Sequence, residues 1–525
     1  MLTENLRRAA HPILSCADAM AWEKRLLGGD EAAEWAAMTR AGRALAHAVR
    51  RDAAELGGLG PGARLLVLCG KGHNGGDALI ATCELLQAVP GATALIVCVP
   101  GTASLRPLVR RALEALWRSA GEARIEIIGT GRHGEGAVGR IAAESFALCL
   151  DGIFGMQFRP PLRAPARGII EAVNRHPGIG MRAAVDVPSG IGDASDAEPF
   201  RADFSYATGI AKAPLFAAAN AASVGRIRYL DIGFFDAERP EGDGRFVLTP
   251  AVLEPARRLR PAGVDKRSFG HLFVVSGSRA MPGAMMMAVE AALLSGVGLV
   301  TAFVPESVAA AAAARLPEAM WVPMPETPDG GLALEGRGEV VARAARCTAW
   351  LAGPGLGRER ESQILVAELL RELRRPVVLD GDALQPELVE AAGGVPLVLT
   401  PHAGEFARIA GQTAADETAL RTAAKRFRGT VVLKGAPTRI SDGEAVYVAP
   451  YGGPVLSRGG SGDVLAGLAG GALAQGLEAA EAAARAVVWH GRAADRLARA
   501  KAQGAARVTQ LTAHLADVLK EGTVP

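Results

Sequence analysis

Three stretches of this sequence hold residue types that can move protons and phosphate. The first is Cys69-Gly70-Lys71-Gly72-His73-Asn74-Gly75-Gly76-Asp77, set between the apolar run LLVLC and the helical pattern ALIATCELLQAV. Glycines let main-chain amides approach a ligand, and a helix N-terminus favours anions. The loop has neither the Gly-Lys-Ser/Thr ending of a Walker loop nor GxGxxG spacing. The second stretch is a pair of acids that close apolar runs: Asp151 opens DGIFG, and Asp186 opens DVPSG. Asn74, Asp151 and Ser189 all bear oxygen. One carboxylate with neutral oxygens suits a monovalent cation better than calcium. Asp151 and Ser189 could equally cap helices. The third is Gly459-Gly460-Ser461-Gly462-Asp463 at a helix start, where main-chain amides form an anion hole and Asp463 stands ready to deprotonate an attacking hydroxyl. Lys434-Gly435-Ala436-Pro437-Thr438, after the strand TVVL, suits nucleotide phosphate or ribose, though Lys434 also reads as a surface lysine at a strand end.

The elements needed to hold these groups are legible in the apolar pattern. Residues 17–56 read as one helix without proline. Strands are expected at 65–69, 94–100, 124–129, 146–154 and 183–190, alternating with helices. A polar segment, DAERPEGDGRF (236–246), marks a boundary. A second alternating series follows at 271–277, 298–305, 348–355, 376–384, 396–405 and 430–437, then helices at 463–475 and 478–500. Strand–helix alternation implies parallel sheets covered on both faces. Two α/β domains result, 1–238 and 239–525, and 525 residues are too many for one ordinary core.

Composition narrows the function. The net charge of +3 comes from interspersed charges, and aromatics are only 5%, so no nucleic-acid surface is expected. Six cysteines form no CxxC pair, and Cys69, Cys98 and Cys149 read as buried thiols in a reducing compartment. No signal peptide is read at the N-terminus, and the apolar stretch between Glu290 and Glu306 is too short to span a bilayer. A cytoplasmic protein without membrane contact is expected.

The set GKGHNGGD, DGIFG, DVPSG and DIG (231–233), with Met38 before Ala41-Gly42, resembles the YjeF N-terminal domain over roughly residues 10–240. That resemblance implies a Rossmann-like NAD(P)H-hydrate epimerase. It puts potassium ligands on Asn74, Asp151 and Ser189, and substrate loops on His73, Asn74, Gly75, Gly76, Asp77 and on Gly155, Met156, Gln157, Phe158, Arg159, Pro160, Pro161. The key acid becomes Asp186. This chain departs from the family at His73, Ala78 and Met156-Gln157, which touch the substrate pocket and spare the ion ligands. The family also supplies interaction modules, so a non-catalytic first half is an alternative.

PGLG, LDGDAL, TPHAGE, LKGAPT and GGSGD together resemble the ribokinase-like ADP/ATP-dependent NAD(P)H-hydrate dehydratases over roughly 250–520. The resemblance implies hydrate contacts at Ala284, Gly357 (or Gly355), His402 and Asp463, and adenine-nucleotide contacts at Lys434, Gly435, Ala436, Pro437, Thr438 and Gly462. It departs at VDKRSFGH (264–271) and at Ser461, where threonine is usual. The implied reaction repairs NADHX and NADPHX: epimerisation of R and S forms, then dehydration of the S form driven by ADP (or ATP) with magnesium. Asp463 activates the hydrate hydroxyl, the terminal phosphoryl is transferred to it, and phosphate leaves. A homo-oligomer is expected. A hydroxymethylpyrimidine- or thiazole-type kinase of the same fold is the competing enzyme reading.

Overall fold

The computed structural model describes residues 4–99, 101–130, 134–240, 242–412 and 415–521. They divide into two compact units, one chiefly His11–Asp243 and the other chiefly Gly244–Ala498, the latter including the short N-terminal helix Glu4–Ala9.

The first unit is built on seven strands: β1 Arg64–Cys69, β2 Thr93–Cys98, β3 Ile125–Gly129, β4 Phe146–Gly152, β5 Ile179–Val185, β6 Phe204–Thr208 and β7 Arg226–Leu230. All pairings are parallel, in the order β3-β2-β1-β4-β5-β6-β7. This is the doubly wound order expected of a Rossmann-like domain, and the strand order reverses between β1 and β4. Alternate residues of β1 enter opposite cores: Leu65, Val67 and Cys69 on one face, Leu66 and Leu68 on the other. That two-sided burial is why the strand sequence is apolar throughout.

The 17–56 stretch is two helices, Cys16–Leu27 and Glu31–Ala53, not one. Gly28 takes the left-handed conformation and ends the first, and Asp30 caps the second through the Ala32 N–H. Glycine in that position stops a helix as effectively as proline.

The second unit has ten strands in the order β11-β10-β9-β12-β13-β14-β15-β16-β17-β8. In chain order these are β8 Arg245–Leu248, β9 His271–Val275, β10 Leu299–Pro305, β11 Met320–Met324, β12 Ala349–Ala352, β13 Val377–Leu379, β14 Leu397–Leu399, β15 Thr430–Leu433, β16 Thr438–Ser441 and β17 Val446–Ala449. Leu272 and Val274 face one core, and Phe273 and Val275 the other. The sheet is not wholly parallel as the alternation implied: β16 pairs antiparallel with both β15 and β17. The apolar 290–306 stretch is the end of the helix Pro282–Leu294 followed by β10. Among the described residues no helix is long and apolar enough to cross a membrane. All six cysteines are unpaired.

Candidate active sites

In the first unit the glycine-rich loop leaves β1 and the helix His73–Ala88 begins at once. Gly75 cannot be anything larger, because a Cβ there would lie 2.2 Å from the Gly70 carbonyl oxygen. Asn74 donates from Nδ2 to the carbonyls of Phe154 (2.8 Å) and Val185 (2.7 Å). Asp151, at the end of β4, accepts from the Ser189 N–H and hydroxyl, both at 2.7 Å. Ser189 Oγ also accepts from the Phe154 N–H at 2.9 Å. Neither Asp151 nor Ser189 caps a helix: they bond to each other beside the strand-order reversal. Burial pushes the Asp151 carboxyl up to about 6, partly offset by Ser189.

Asp186 follows β5 with φ of 66°, a left-handed conformation that a non-glycine residue adopts at a cost. Its carboxylate is buried and ion-paired with the buried Lys212, and it also accepts from the Thr208 hydroxyl at 3.3 Å. Lys212 donates in addition to the Thr208 carbonyl at 3.0 Å. A small open cleft lies nearby, lined among others by Glu23, Glu34, His73, Asp77 and Thr208. Burial raises Glu23 to about 7, with Asp186 and Glu34 adding to it against Lys212. His73 Nε2 lies 3.5 Å from Glu34.

Of the first substrate loop, His73 and Asp77 reach the cleft wall. Gly155 is placed against Asn74, where a Cβ would lie 2.9 Å from Oδ1. Met156 packs on a cluster containing Trp22, Phe234 and Phe235, and Phe158 is buried in a core. Residues 159–161 form no part of that lining. Glu23, Thr208 and Lys212 were not foreseen. AKAPLF carries no pattern that marks its lysine.

In the second unit, Gly460 (φ 97°) turns the chain into the helix Ser461–Ala474. Asp463 stands in the first turn, half-buried. A Cβ on Gly462 would lie 3.1 Å from Lys434 Nζ and 3.8 Å from Asp380 Oδ2, so this ion pair flanks the turn. Lys434 donates to Asp380 Oδ1 at 3.0 Å and lies 3.7 Å from Glu405. Thr400 donates to the same Asp380 oxygen at 2.7 Å. Lys434 is therefore no loose surface lysine. Burial opposes its charge, but Asp380 and Glu405 outweigh that and hold the ammonium above its ordinary range. Asp463 is pushed up to about 7 by burial first and by Asp380 second, against the pull of Lys434. Desolvation and a like charge thus place a carboxyl near neutrality, where a general base works best.

His402 caps the helix Ala403–Ala410: its Nδ1 accepts from the N–H groups of Gly404 (3.0 Å) and Glu405 (3.2 Å). Nδ1 is thereby occupied, and Nε2 lies 3.5 Å from the Glu405 carboxylate. The Gly357 N–H donates to Asp382 at 3.0 Å, while Gly355 packs on Ala284, where a Cβ would lie 3.1 Å away. Residues 435–437 are partly to fully exposed beside Lys434. Asp380 and Glu405 sat inside recognised motifs, yet no role had been read for either.

Comparison with known proteins finds relatives for both halves of the chain. The model of the NAD(P)H-hydrate dehydratase family matches residues 272–517, and that of the YjeF-related protein N-terminus matches 35–213. A bifunctional NAD(P)H-hydrate repair enzyme of Moorella thermoacetica is 34% identical over 473 residues, covering 87% of each chain. Its counterpart from Gloeobacter violaceus is 38% identical, covering 88% of this chain and 89% of the relative. A solved ADP/ATP-dependent NAD(P)H-hydrate dehydratase from Bacillus subtilis, co-crystallised with ATP and Mg2+, is 29% identical and covers 50% of this chain and 93% of its own, with a TM-score of 0.42. The chain belongs to the bifunctional NAD(P)H-hydrate repair enzymes.

Proposed function

We propose that the second unit dehydrates the S form of hydrated NADH or NADPH at the expense of an adenine nucleotide, with ADP the expected donor, and that the first unit interconverts the R and S forms. The observation that carries the first claim is Asp463 in the opening turn of Ser461–Ala474, with Lys434 and Asp380 flanking Gly462. Asp463 takes the proton of the hydrate hydroxyl, and that oxygen attacks the terminal phosphorus. The helix N-terminal amides and Lys434 face the charge that develops on the transferring group. Phosphate is a far better leaving group than hydroxide. The ring nitrogen lone pair expels it, and loss of the neighbouring carbon-bound proton restores the ring double bond. AMP and inorganic phosphate remain when ADP is the donor.

Magnesium fits as a passenger on the nucleotide phosphates, since no group of three or more His, Cys, Asp or Glu among the described residues makes a protein cage. Residues 435–438 and Gly462 would border the nucleotide, and Ala284, Gly357 and His402 the hydrate. In the first unit the donor set fits potassium. Asp151 is wholly buried, its partners Ser189 and Ile153 are neutral, and the Asn74 side chain and the Phe154 and Val185 carbonyls supply further polar atoms. A bound cation there would fix the loop that carries His73 to Asp77. Asp186 is the catalytic carboxylate of the epimerisation. Six unpaired thiols suit the cytoplasm.

The test is to incubate the purified chain with hydrated NADH, magnesium and either ADP or ATP. Recovery of the dihydronicotinamide absorbance with one inorganic phosphate per NADH supports the assignment. A stable phosphorylated organic product would make the second unit a small-molecule kinase instead.

A further inference from the structure

Carboxyl groups in and beside the first unit's cleft stand in unlike settings. Asp186 is charge-paired with Lys212. Asp77 has no such partner. It sits one helical turn after Asn74, its side chain is almost fully buried, and it lines the cleft. Its Oδ1 is buried with no hydrogen-bond partner among the described residues. An orphaned polar atom inside a built site costs free energy unless a ligand satisfies it. Around it stand Glu23 from the helix Cys16–Leu27, Glu34 from Glu31–Ala53, His73 from its own helix, and Asp186 with Lys212 beyond Thr208. Lys212, which acts on Asp77 electrostatically, is already committed to Asp186.

Resting on the epimerase reading above, we propose that Asp77 is a second catalytic residue of the epimerase, acting as the acid that protonates the departing hydroxyl while Asp186 accepts a proton from the water that replaces it. The hydroxyl takes the Asp77 proton. The carbon–oxygen bond breaks, the ring nitrogen lone pair forms a carbon–nitrogen double bond, and water leaves. A second water adds to the opposite ring face and gives a proton to Asp186. Asp77 is left ionised and Asp186 protonated, and exchange with solvent through the open cleft resets both. The reverse inversion uses the two acids in exchanged roles. The burial of Asp77 suits the part of an acid. Burial holds the Asp77 carboxyl well above the ordinary carboxylate range, and Asp186 and Glu23 push it further.

The test uses the full chain without nucleotide, so that dehydration does not run, with R and S hydrates separated by chromatography in 18O-enriched water. In the wild type each inversion should place one solvent oxygen in the product. Asp77→Asn should lower the inversion rate by about a hundredfold or more, the range for loss of a general acid. Asp77→Glu, which keeps the acid, should recover much of it. Dichroism and unchanged dehydration of S hydrate check the fold. The proposal is overturned if Asp77→Asn stays within about threefold of wild type, or if wild-type product keeps its original oxygen. Should the wild type fail to invert the hydrate at all, the epimerase assignment itself falls, which is a separate outcome.

Discussion

Replacing Asp380 by Asn should make the second unit work at lower pH. Asp463 stands at about 7 because it is buried and because the Asp380 carboxylate repels its charge. Asparagine has the same shape and keeps an oxygen for the Thr400 hydroxyl and for Lys434, whose other acid, Glu405, remains 3.7 Å away. A like charge at close range is worth at most about 4 kcal/mol at an effective dielectric near 20. Lys434 already offsets much of that charge, so we take roughly 1.5 kcal/mol, about one pH unit. The sign is fixed. Removing a negative neighbour makes ionised Asp463 easier to form, so the rising limb of the rate moves down by about one pH unit. A weaker base transfers protons less readily, so the plateau should fall a few-fold. The assay is single-turnover dehydration of S hydrate with saturating nucleotide across neutral pH. A limb that stays in place, or moves upward, would refute the view that Asp380 tunes Asp463.

Three further changes separate the two units. Asp463→Asn should cut dehydration by at least about a thousandfold and leave nucleotide affinity within a few-fold, read by turnover and by calorimetric titration. Asp186→Ala should slow R-to-S conversion and leave dehydration of pure S hydrate unchanged; equal loss of both would tie the residue to folding instead. Gly75→Ala forces a methyl to 2.2 Å from a main-chain oxygen that cannot swing away. It should cost the first unit about 2–3 kcal/mol in stability, visible as an earlier thermal transition, and lower epimerisation without touching dehydration.

The motifs lay in the sequence because each is local. A glycine run between an apolar strand and a helix announces a ligand loop, Asp151 and Asp186 stand where apolar strands end, and Asp463 follows a glycine run at a helix start. What escaped was contact between distant segments. Lys212 acquires meaning only when β6 brings Thr208 beside Asp186, and Glu23 only when its helix folds over the cleft. The paired strands β16 and β17 are four residues each, too short for alternation to show. The break at Gly28-Gly29-Asp30 was legible, since glycine then a capping acid is a stop and a start, but helical spacing on both sides masked it.

The most direct measurement of the phosphate-assisted route follows the hydroxyl oxygen. S hydrate carrying 18O in its ring hydroxyl is dehydrated with magnesium and nucleotide in ordinary water, on an Asp186→Ala background to prevent exchange, and the released phosphate is weighed by mass spectrometry. The expected result is one 18O atom in each phosphate, because the carbon–oxygen bond is the one that breaks. Unlabelled phosphate, with the 18O lost to water, would show that nucleotide cleavage and water removal are separate events and that Asp463 does not activate the substrate hydroxyl.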